Sequence, residues 1–152
     1  GWLEGSGVDV LDGVVCDATC ATSRPNVVAA GDVARWHNPL FGEDMRVEHW
    51  DNAIAQGRAA GRRLLDGPSA EPFAPVPYFW SDQYDAKIQF AGRLGDDVRI
   101  VDGSTEERKF VALYGKAGRV VGVLGMNRPR LVMQFRRKIA EGITWEDALA
   151  SP

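Results

Sequence analysis

Short apolar runs separated by polar turns organise the first half of the chain. Residues 13–16 form one such run and predict a strand, and residues 27–30 are apolar without interruption. An uninterrupted apolar run of this length is typical of a strand buried on both faces, as in a parallel sheet covered by helices. Residues 36–45 contain Asn-Pro and Phe-Gly pairs, which are turn signals, and predict a loop.

A helix is predicted over residues 51–65, with Asp51 as its cap. Its apolar and glycine positions recur every three or four residues and therefore share one face. Two glycines in a helix interior cost roughly 1 kcal/mol each relative to alanine, which close approach to a sheet or another helix would offset. We expect this face to be buried; it consists of Ile54, Gly57, Gly61, Leu64 and Leu65.

Residues 66–77 are rich in proline and small side chains, and they predict a linker between two domains. Beyond the linker the apolar period changes to the alternation that is typical of half-buried strands. Successive strands with short connections predict an antiparallel meander. The strand-like segments are residues 87–91, 98–100, 110–114 and 120–124, with a hairpin turn at 115–118.

Two helices are predicted at the end of the chain. The first covers residues 129–141, with Pro129 at an early helical position and Gly142 just past its end. The second begins at Thr144, which has capping-box spacing to Asp147. The predicted fold class is α+β, with an antiparallel sheet and helices on one of its faces. The core face of the first helix is expected to hold Leu131, Val132, Phe135 and Ile139.

Composition narrows the class of protein without identifying it. The 152 residues are 45% hydrophobic and 26% charged, with a net charge of -3, which is ordinary for a soluble globular protein and gives no reason to expect nucleic-acid or membrane binding. No apolar run approaches the roughly 20 residues that a membrane helix needs. The chain begins without methionine and without a signal peptide, so we expect a piece of a longer cytoplasmic protein.

Cys16 and Cys20 are the two cysteines. An extended chain would hold them too far apart for a disulfide, whereas a turn could bring them together. We expect free thiols in a reducing cytoplasm. Two thiols are too few for a zinc site, and His37 and His49 do not complete a usual ligand spacing, so no metal site is expected.

The candidate chemistry lies where the apolar run at 27–30 meets Gly31 and Asp32, and where Glu48, His49 and Trp50 lead into the first helix. Glycine permits close approach of the backbone, and a short carboxylate accepts hydrogen bonds from hydroxyl groups. A helix N-terminus directs N–H groups at an electron-rich atom. This combination predicts a site for an electron-rich cofactor that carries a polyol, although Asp32 equally suits a helix cap or a loop acid.

These segments resemble a known family. Residues 27–33, VVAAGDV, resemble the second flavin-binding motif of flavoproteins with two dinucleotide-binding domains. Residues 47–57, VEHWDNAIAQG, and 77–92, PYFWSDQYDAKIQFAG, are similar to FAD-dependent NAD(P)H:ferredoxin reductases of the putidaredoxin reductase and biphenyl dioxygenase reductase type. Apoptosis-inducing factor is a more distant relative. The resemblance covers nearly the whole chain, with its motifs in the family's order.

The resemblance implies a domain assignment and a set of flavin contacts. Residues 1–70 would be the last segment of a Rossmann-like FAD domain, and residues 76–152 the C-terminal interface domain. Gly31 and Asp32 would meet the ribityl chain of FAD, with the Asp32 carboxylate as acceptor. The backbone at His49 and Trp50 would approach the pyrimidine end of the flavin ring, where a helix dipole stabilises negative charge.

Two further side chains of this set have alternative interpretations. Glu48 would help bind flavin or nicotinamide, or form a salt bridge. Trp80 would lie near the flavin on the side that faces an iron–sulfur partner, although its aromatic neighbours also suit a core. No side chain is assigned as catalytic, because the redox chemistry would be that of the cofactor.

The basic segment at residues 128–138 has two interpretations. It is either a solvated helix face or a docking patch for an acidic ferredoxin, where complementary charge accelerates encounter. The patch would comprise Arg128, Arg130, Arg136, Arg137 and Lys138.

The chain contains no G-x-G-x-x-G fingerprint, although the family has one for FAD and one for NAD(P)H. We therefore expect a C-terminal fragment that is inactive alone. The whole enzyme would pass electrons from NAD(P)H through FAD to a [2Fe-2S] ferredoxin or a rubredoxin that feeds an oxygenase or a cytochrome P450. The alternative is a non-catalytic interaction or dimerisation module that kept the fold without the flavin.

Overall fold

The computed structural model describes residues 1–150 and divides the chain into two compact units, Gly1–Pro75 and a second that begins at Val76. The first unit contains a three-stranded sheet of β1 (Val14–Cys16), β2 (Ala34–Asn38) and β3 (Glu43–Arg46). Strand β1 is parallel to β2, and β2 is antiparallel to β3. Helix α1 (Trp50–Asp66) follows, and short 3-10 turns occupy Gly31–Val33 and Gly67–Ser69.

Trp36 lies at the centre of the core of the first unit and is fully buried. Its ring is 5.5 Å from that of Phe73, and its indole Nε1 donates to the Phe73 carbonyl at 3.1 Å. Asn38 is also fully buried, and its amide donates to the Pro75 carbonyl at 3.0 Å while its oxygen accepts from the Leu40 amide at 3.0 Å. The segment before residue 76 is therefore fixed to the sheet of the first unit.

The predicted strand at 27–30 is wrong. In this segment only Val28 forms a bridge, with Ala21, and the strand lies later, at β2. The predicted loop at 36–45 is also wrong, because most of it belongs to β2 and β3. Burial in β2 alternates with period two, the pattern of a half-buried strand, and the buried amide of Asn38 disguises that pattern in the sequence.

Helix α1 matches the predicted range, but its predicted core face is wrong. The buried residues are Asn52, Gln56 and Ala60, and the N-cap is His49 instead of Asp51. The apolar positions face outward: the exposed fraction is 55% for Leu64 and 86% for Leu65. A Cβ at the two glycines would meet nothing within 4 Å. We call this outward face the α1 stripe: Trp50, Ile54, Gly57, Gly61, Leu64 and Leu65.

The second unit contains a five-stranded antiparallel sheet in the order β4-β5-β8-β7-β6. The predicted simple meander is wrong in one respect, because β5 pairs with β8 instead of β6. At this pairing a Cβ on Gly92 would lie 2.1 Å from the Val121 carbonyl oxygen, so only glycine permits the approach. The strands are β4 (Tyr78–Gln83), β5 (Ala86–Gly92), β6 (Asp97–Ser104), β7 (Lys109–Lys116) and β8 (Arg119–Met126).

Helices α2 (Pro129–Ala140) and α3 (Trp145–Ala150) pack on one face of this sheet, as predicted. A Cβ on Gly125 would lie 2.3 Å from Val132 of α2, and one on Gly115 would lie 2.6 Å from the Trp145 ring of α3. Val132, Phe135 and Ile139 form the buried face of α2. Thr144 caps α3 by accepting from the Asp147 amide at 3.1 Å. The α+β fold class is confirmed.

Two kinds of feature are absent from residues 1–150. No helix in this range combines the length and the apolar character that a membrane crossing requires. The same residues contain no group of three or more His, Cys, Asp or Glu side chains that could hold a metal ion.

Candidate functional site

The Gly31–Val33 turn is fixed against helix α1. The Gly31 amide donates to the Gln56 side-chain oxygen at 2.9 Å. Gly31 has φ +76°, and a Cβ there would lie 3.4 Å from the Ala53 Cβ. Both the left-handed backbone and the close helix favour glycine at this position. The turn thus holds Asp32 at a defined place beside the first half of α1.

Sequence reasoning missed two polar residues that position this turn. Gln56 is fully buried and Asn52 is 3% exposed. The Asn52 amide donates to the Gln56 oxygen at 3.2 Å and to the Val47 carbonyl at 3.3 Å. Asn52 Oδ1 is buried and accepts no hydrogen bond from the residues that the structure describes. Asn52, Gln56 and Ala60 recur every four residues and therefore lie on one face of α1. This spacing was the feature of the sequence that could have indicated a buried polar face.

Arg46 joins the same turn to the segment that enters α1. Its Nη1 donates to the Asp32 carbonyl oxygen at 3.0 Å and forms an ion pair with the Glu48 carboxylate. Its Nε lies 3.3 Å from the Asp12 carboxylate. The hydrogen bond to Glu48, together with the nearby Asp12 charge, raises the pKa of Arg46 above its ordinary value. Glu48 therefore forms the salt bridge that was one of its two interpretations.

The Asp32 side chain is exposed and makes no hydrogen bond or ion pair within residues 1–150. It does not cap a helix, because the N-cap of its own turn is Ala30 and that of α1 is His49. The helix-cap interpretation of Asp32 is thus wrong. Its carboxylate remains an available acceptor.

The N-terminus of α1 lies on the same side of the first unit as this turn. His49 is half-buried at the N-cap, and Trp50 is 71% exposed in the first turn. The start of a 17-residue helix carries the partial positive charge of the helix dipole. Contacts through Gln56 and Arg46 thus connect the predicted site residues Gly31, Asp32 and Glu48. The predicted residues His49 and Trp50 directly follow Glu48 in the chain.

Trp80 belongs to the second unit, on the edge strand β4. It is 41% exposed, and its ring stacks on that of Tyr78 with centroids 5.7 Å apart and planes at 25°. The Tyr78 hydroxyl accepts from the Gln89 amide at 2.6 Å. Trp80 is therefore a partly exposed aromatic that stacks on an ordered ring, and it is not a core residue.

The basic residues of the predicted docking patch fall into two groups. Arg128 forms an ion pair with Asp102, Arg136 donates to the Val76 carbonyl, and the Lys138 ammonium lies 4.8 Å from the Phe135 ring centroid. Arg130 and Arg137 are exposed on α2. The patch therefore is not a uniform solvated face.

Both cysteines are free thiols, as predicted, and both are buried. Burial raises the pKa of Cys16 from 9.0 to about 11. Burial, and then the neighbouring Cys16 and Asp17, raise the pKa of Cys20 from 9.0 to about 12. Neutral, enclosed thiols of this kind are poor nucleophiles.

Comparisons with known proteins agree with the resemblance predicted from the motifs. The family described as "Reductase C-terminal" matches residues 78–151. The ferredoxin–NAD(+) reductase component of the anthranilate 1,2-dioxygenase system of Burkholderia cepacia is 36% identical over 141 residues, which cover 91% of this chain and 34% of that protein.

Two solved structures are similar in fold and sequence. The ferredoxin reductase for the CYP199A2 system of Rhodopseudomonas palustris has a TM-score of 0.81 and 37% identity, over 96% of this chain and 36% of that one. Putidaredoxin reductase, in its covalent complex with putidaredoxin, has a TM-score of 0.81 and 31% identity, over 91% and 33%.

The chain thus spans about a third of the length of the curated relatives that it matches. The match falls on the segments that carried the predicted resemblance, which is confirmed. Residues 78–151 match the reductase C-terminal family, and the chain as a whole is similar to the C-terminal part of ferredoxin reductases.

Proposed function

We propose that the whole protein is an FAD-dependent NAD(P)H:ferredoxin oxidoreductase, of which this chain is a C-terminal fragment. The observation that carries the proposal is the Gly31–Asp32 turn. Gln56 and Arg46 hold it beside the N-terminus of α1, while the Asp32 carboxylate keeps its hydrogen-bonding capacity. The similarity to ferredoxin reductase components over nine-tenths of the chain supports the same function.

The residues at this turn fit a flavin. A carboxylate accepts hydrogen bonds from the hydroxyls of a ribityl chain, and the glycine at position 31 lets the turn that carries Asp32 pack closely on α1. A helix N-terminus stabilises negative charge on an electron-rich ring. Buried Asn52 Oδ1 adds an acceptor that residues 1–150 leave unused. When bound, FAD would supply the hydride acceptance from NAD(P)H and the single-electron delivery that no side chain of this chain can perform.

Each predicted site residue has a role in this proposal. Asp32 holds the ribityl hydroxyls, and the backbone at His49 and Trp50 stabilises the pyrimidine end of the ring. Glu48 acts through Arg46, which connects it to the Asp32 carbonyl. Trp80 shields the flavin from water on the side of the electron acceptor.

The proposed acceptor is a [2Fe-2S] ferredoxin or a rubredoxin that feeds an oxygenase or a cytochrome P450. The relatives support a ferredoxin as acceptor, because two of them are ferredoxin reductase components of a dioxygenase system and an O-demethylase system. Arg130 and Arg137 are the exposed members of the proposed docking patch, where positive charge would attract an acidic surface. We place the reaction in the cytoplasm, where NAD(P)H is supplied.

The α1 stripe supports the proposal that further polypeptide covers this helix in the whole protein. An outward row of apolar side chains interrupted by two glycines suits close packing against another element. We propose that the covering segment belongs to the FAD domain and that the phosphate-binding turns for FAD and NAD(P)H lie there. The chain alone is then expected to be inactive.

Replacing the Asp32 carboxylate tests the flavin site in the whole flavoprotein. Loss of a hydrogen bond to a charged group costs about 1.5–3 kcal/mol, so Asp32→Ala should weaken FAD binding roughly 10- to 150-fold. FAD affinity is measured by equilibrium titration of the deflavinated protein. Asp9→Ala, which removes another exposed carboxylate of the same unit, is the matched control and should leave the affinity unchanged.

An unchanged affinity in Asp32→Ala would contradict the site assignment. If the whole protein also retains no flavin, the non-catalytic interaction module is the better interpretation.

A visible absorption spectrum of the 152-residue chain, recorded after FAD is added and the protein desalted, tests the location of the phosphate-binding turns. A retained flavin band would contradict their assignment to another segment.

A further inference from the structure

The guanidinium of Arg136 lies beside the start of β4, within the second unit. Nε and Nη2 donate to the Val76 carbonyl oxygen at 3.2 and 3.0 Å. The guanidinium carbon lies 4.9 Å from the centroid of the Tyr78 ring, within the range of a cation–π contact. One side chain of α2 thus holds both Val76, two residues before β4, and Tyr78, the first residue of that strand.

Tyr78 is held at its other end as well. Its hydroxyl accepts from the Gln89 amide at 2.6 Å, and Gln89 is 3% exposed on the neighbouring strand β5. The Tyr78 ring is therefore held at two points. The buried Gln89 amide binds its hydroxyl, and the Arg136 guanidinium lies over its face.

Trp80 packs against this ring. Residues 78 and 80 point to the same side of β4 because side chains alternate along a strand. Their rings stack at 5.7 Å with an interplanar angle of 25°. Strand β4 lies at the edge of the sheet and pairs with β5 alone, so side-chain packing contributes strongly to the order of an exposed indole.

We infer that Arg136 is a positioning residue for Trp80, acting through the Tyr78 ring. The structural part of this inference concerns the second unit by itself. Its consequence for electron transfer rests on the proposed function, in which Trp80 lies beside the flavin. Arg136 then differs in role from its neighbour Arg137, whose exposed charge suits partner attraction.

Spectroscopy of the 152-residue chain tests the structural part without any flavin. Arg136→Met removes the cation and both hydrogen bonds but keeps an unbranched side chain. It should abolish the near-ultraviolet circular dichroism contributed by Trp80 and increase acrylamide quenching of Trp80 emission. Arg137→Met removes the same charge one residue away and should change neither signal.

The contribution of Trp80 is isolated from the other tryptophans by repeating both substitutions in a Trp80→Phe background. There, Arg136→Met should produce no difference in the tryptophan bands or in the quenching of tryptophan emission, although the Tyr78 band can still change. A difference of equal size in that background would show that another tryptophan reports the change, and it would overturn the inference. An unchanged Trp80 signal in Arg136→Met would overturn it as well.

Arg136→Lys keeps the inference testable if Arg136→Met does not fold. Lysine preserves the charge but cannot reproduce the planar, two-nitrogen donation to one carbonyl. It should leave the chain folded and restore part of the Trp80 signal. A folded Arg136→Lys variant with the full wild-type signal of Trp80 would contradict a specific role of the guanidinium.

The whole flavoprotein separates positioning from docking. Arg136→Met should slow ferredoxin reduction without changing its dependence on ionic strength, and it should add little to Trp80→Phe. Arg137→Glu should change the salt dependence, because surface charge steers encounter. A changed salt dependence in Arg136→Met would reassign Arg136 to docking. FAD binding tests the proposed function separately, so either conclusion can fail alone.

Discussion

Gln56 illustrates how one buried side chain determines the geometry of the candidate site. Its oxygen accepts from the Gly31 amide and from the Asn52 side chain, and both donors lie in the interior. Gln56→Leu would remove the acceptor while leaving those donors buried. Because an unsatisfied buried donor costs about 1–3 kcal/mol, we expect at least that loss in the free energy of unfolding, measured with urea. Arg62→Leu, at an exposed position of α1, is the control, and equal stability of the two variants would contradict this role.

The two cysteines predict how stability depends on alkaline pH. Their thiol pKa values in the folded chain, about 11 for Cys16 and about 12 for Cys20, exceed the ordinary value of 9.0. Above pH 9 the unfolded chain therefore holds fewer thiol protons than the folded chain, and the free energy of unfolding falls as pH rises through the folded pKa values. The thiols contribute their full stabilisation below pH 9.

Chemical denaturation at a series of pH values measures this decline. A chain with Cys16→Ala and Cys20→Ala should show a shallower fall above pH 9, because the thiol contribution is then absent. Identical slopes for the two chains would show that other groups cause the decline.

Sequence reasoning at the residue scale succeeded where a residue type has one main use. The capping pair Thr144 and Asp147 and the free thiols are examples. It failed for Asn52 and Gln56, since an amide inside a helix is normally exposed and its burial depends on a distant donor such as the Gly31 amide. The FAD, docking and Trp80 roles stay predictions.

At the scale of elements, α1 shows that an apolar helix face is not always the buried one in a given chain. The glycines of the α1 stripe have open space around them, so alanine would gain helix propensity at no steric cost. We expect Gly57→Ala and Gly61→Ala to stabilise the chain by about 0.8–1 kcal/mol each. Thermal or urea unfolding measures the gain.

Gly115→Ala is the opposite case, because its Cβ would lie 2.6 Å from the Trp145 ring. It should destabilise the second unit.

If the α1 stripe packs closely against an FAD domain, the gain from Gly57→Ala should disappear in the whole flavoprotein. A gain of the same size there would contradict close packing at these glycines.

Element boundaries were predictable where turn chemistry and apolar period agree, as for α1 and α2. Strands β2 and β3 were missed because Asn-Pro and Phe-Gly were interpreted as parts of one long loop, whereas they form the tight connection between the two strands. Strand β4 was missed because its aromatic side chains were interpreted as core or flavin-contacting residues, without a strand being assigned to them. In both cases pairing with a distant strand decides the structure, and a local pattern does not report that pairing.

At the scale of the whole molecule, the α+β class followed from the order of strand-like and helical segments, but the strand order did not. The short connection between β5 and β6 favoured their pairing. The structure places β8 between β5 and β7, where the glycines at 92 and 122 allow the backbones to approach. Such a choice between partners depends on steric fit across the sheet, which hydrophobic period does not encode.

The same strand order has a consequence for how the second unit folds. Strands β6, β7 and β8 pair with their neighbours in sequence, whereas the β5–β8 pairing joins residues as distant as Ile88 and Met126. Closing that longer loop costs more chain entropy before contacts form. We expect the β6–β8 amides to gain protection first and the β5 amides later, in pulsed hydrogen exchange during refolding. Simultaneous protection would mean that the sheet assembles in one step, with β4 and β5 already part of the nucleus.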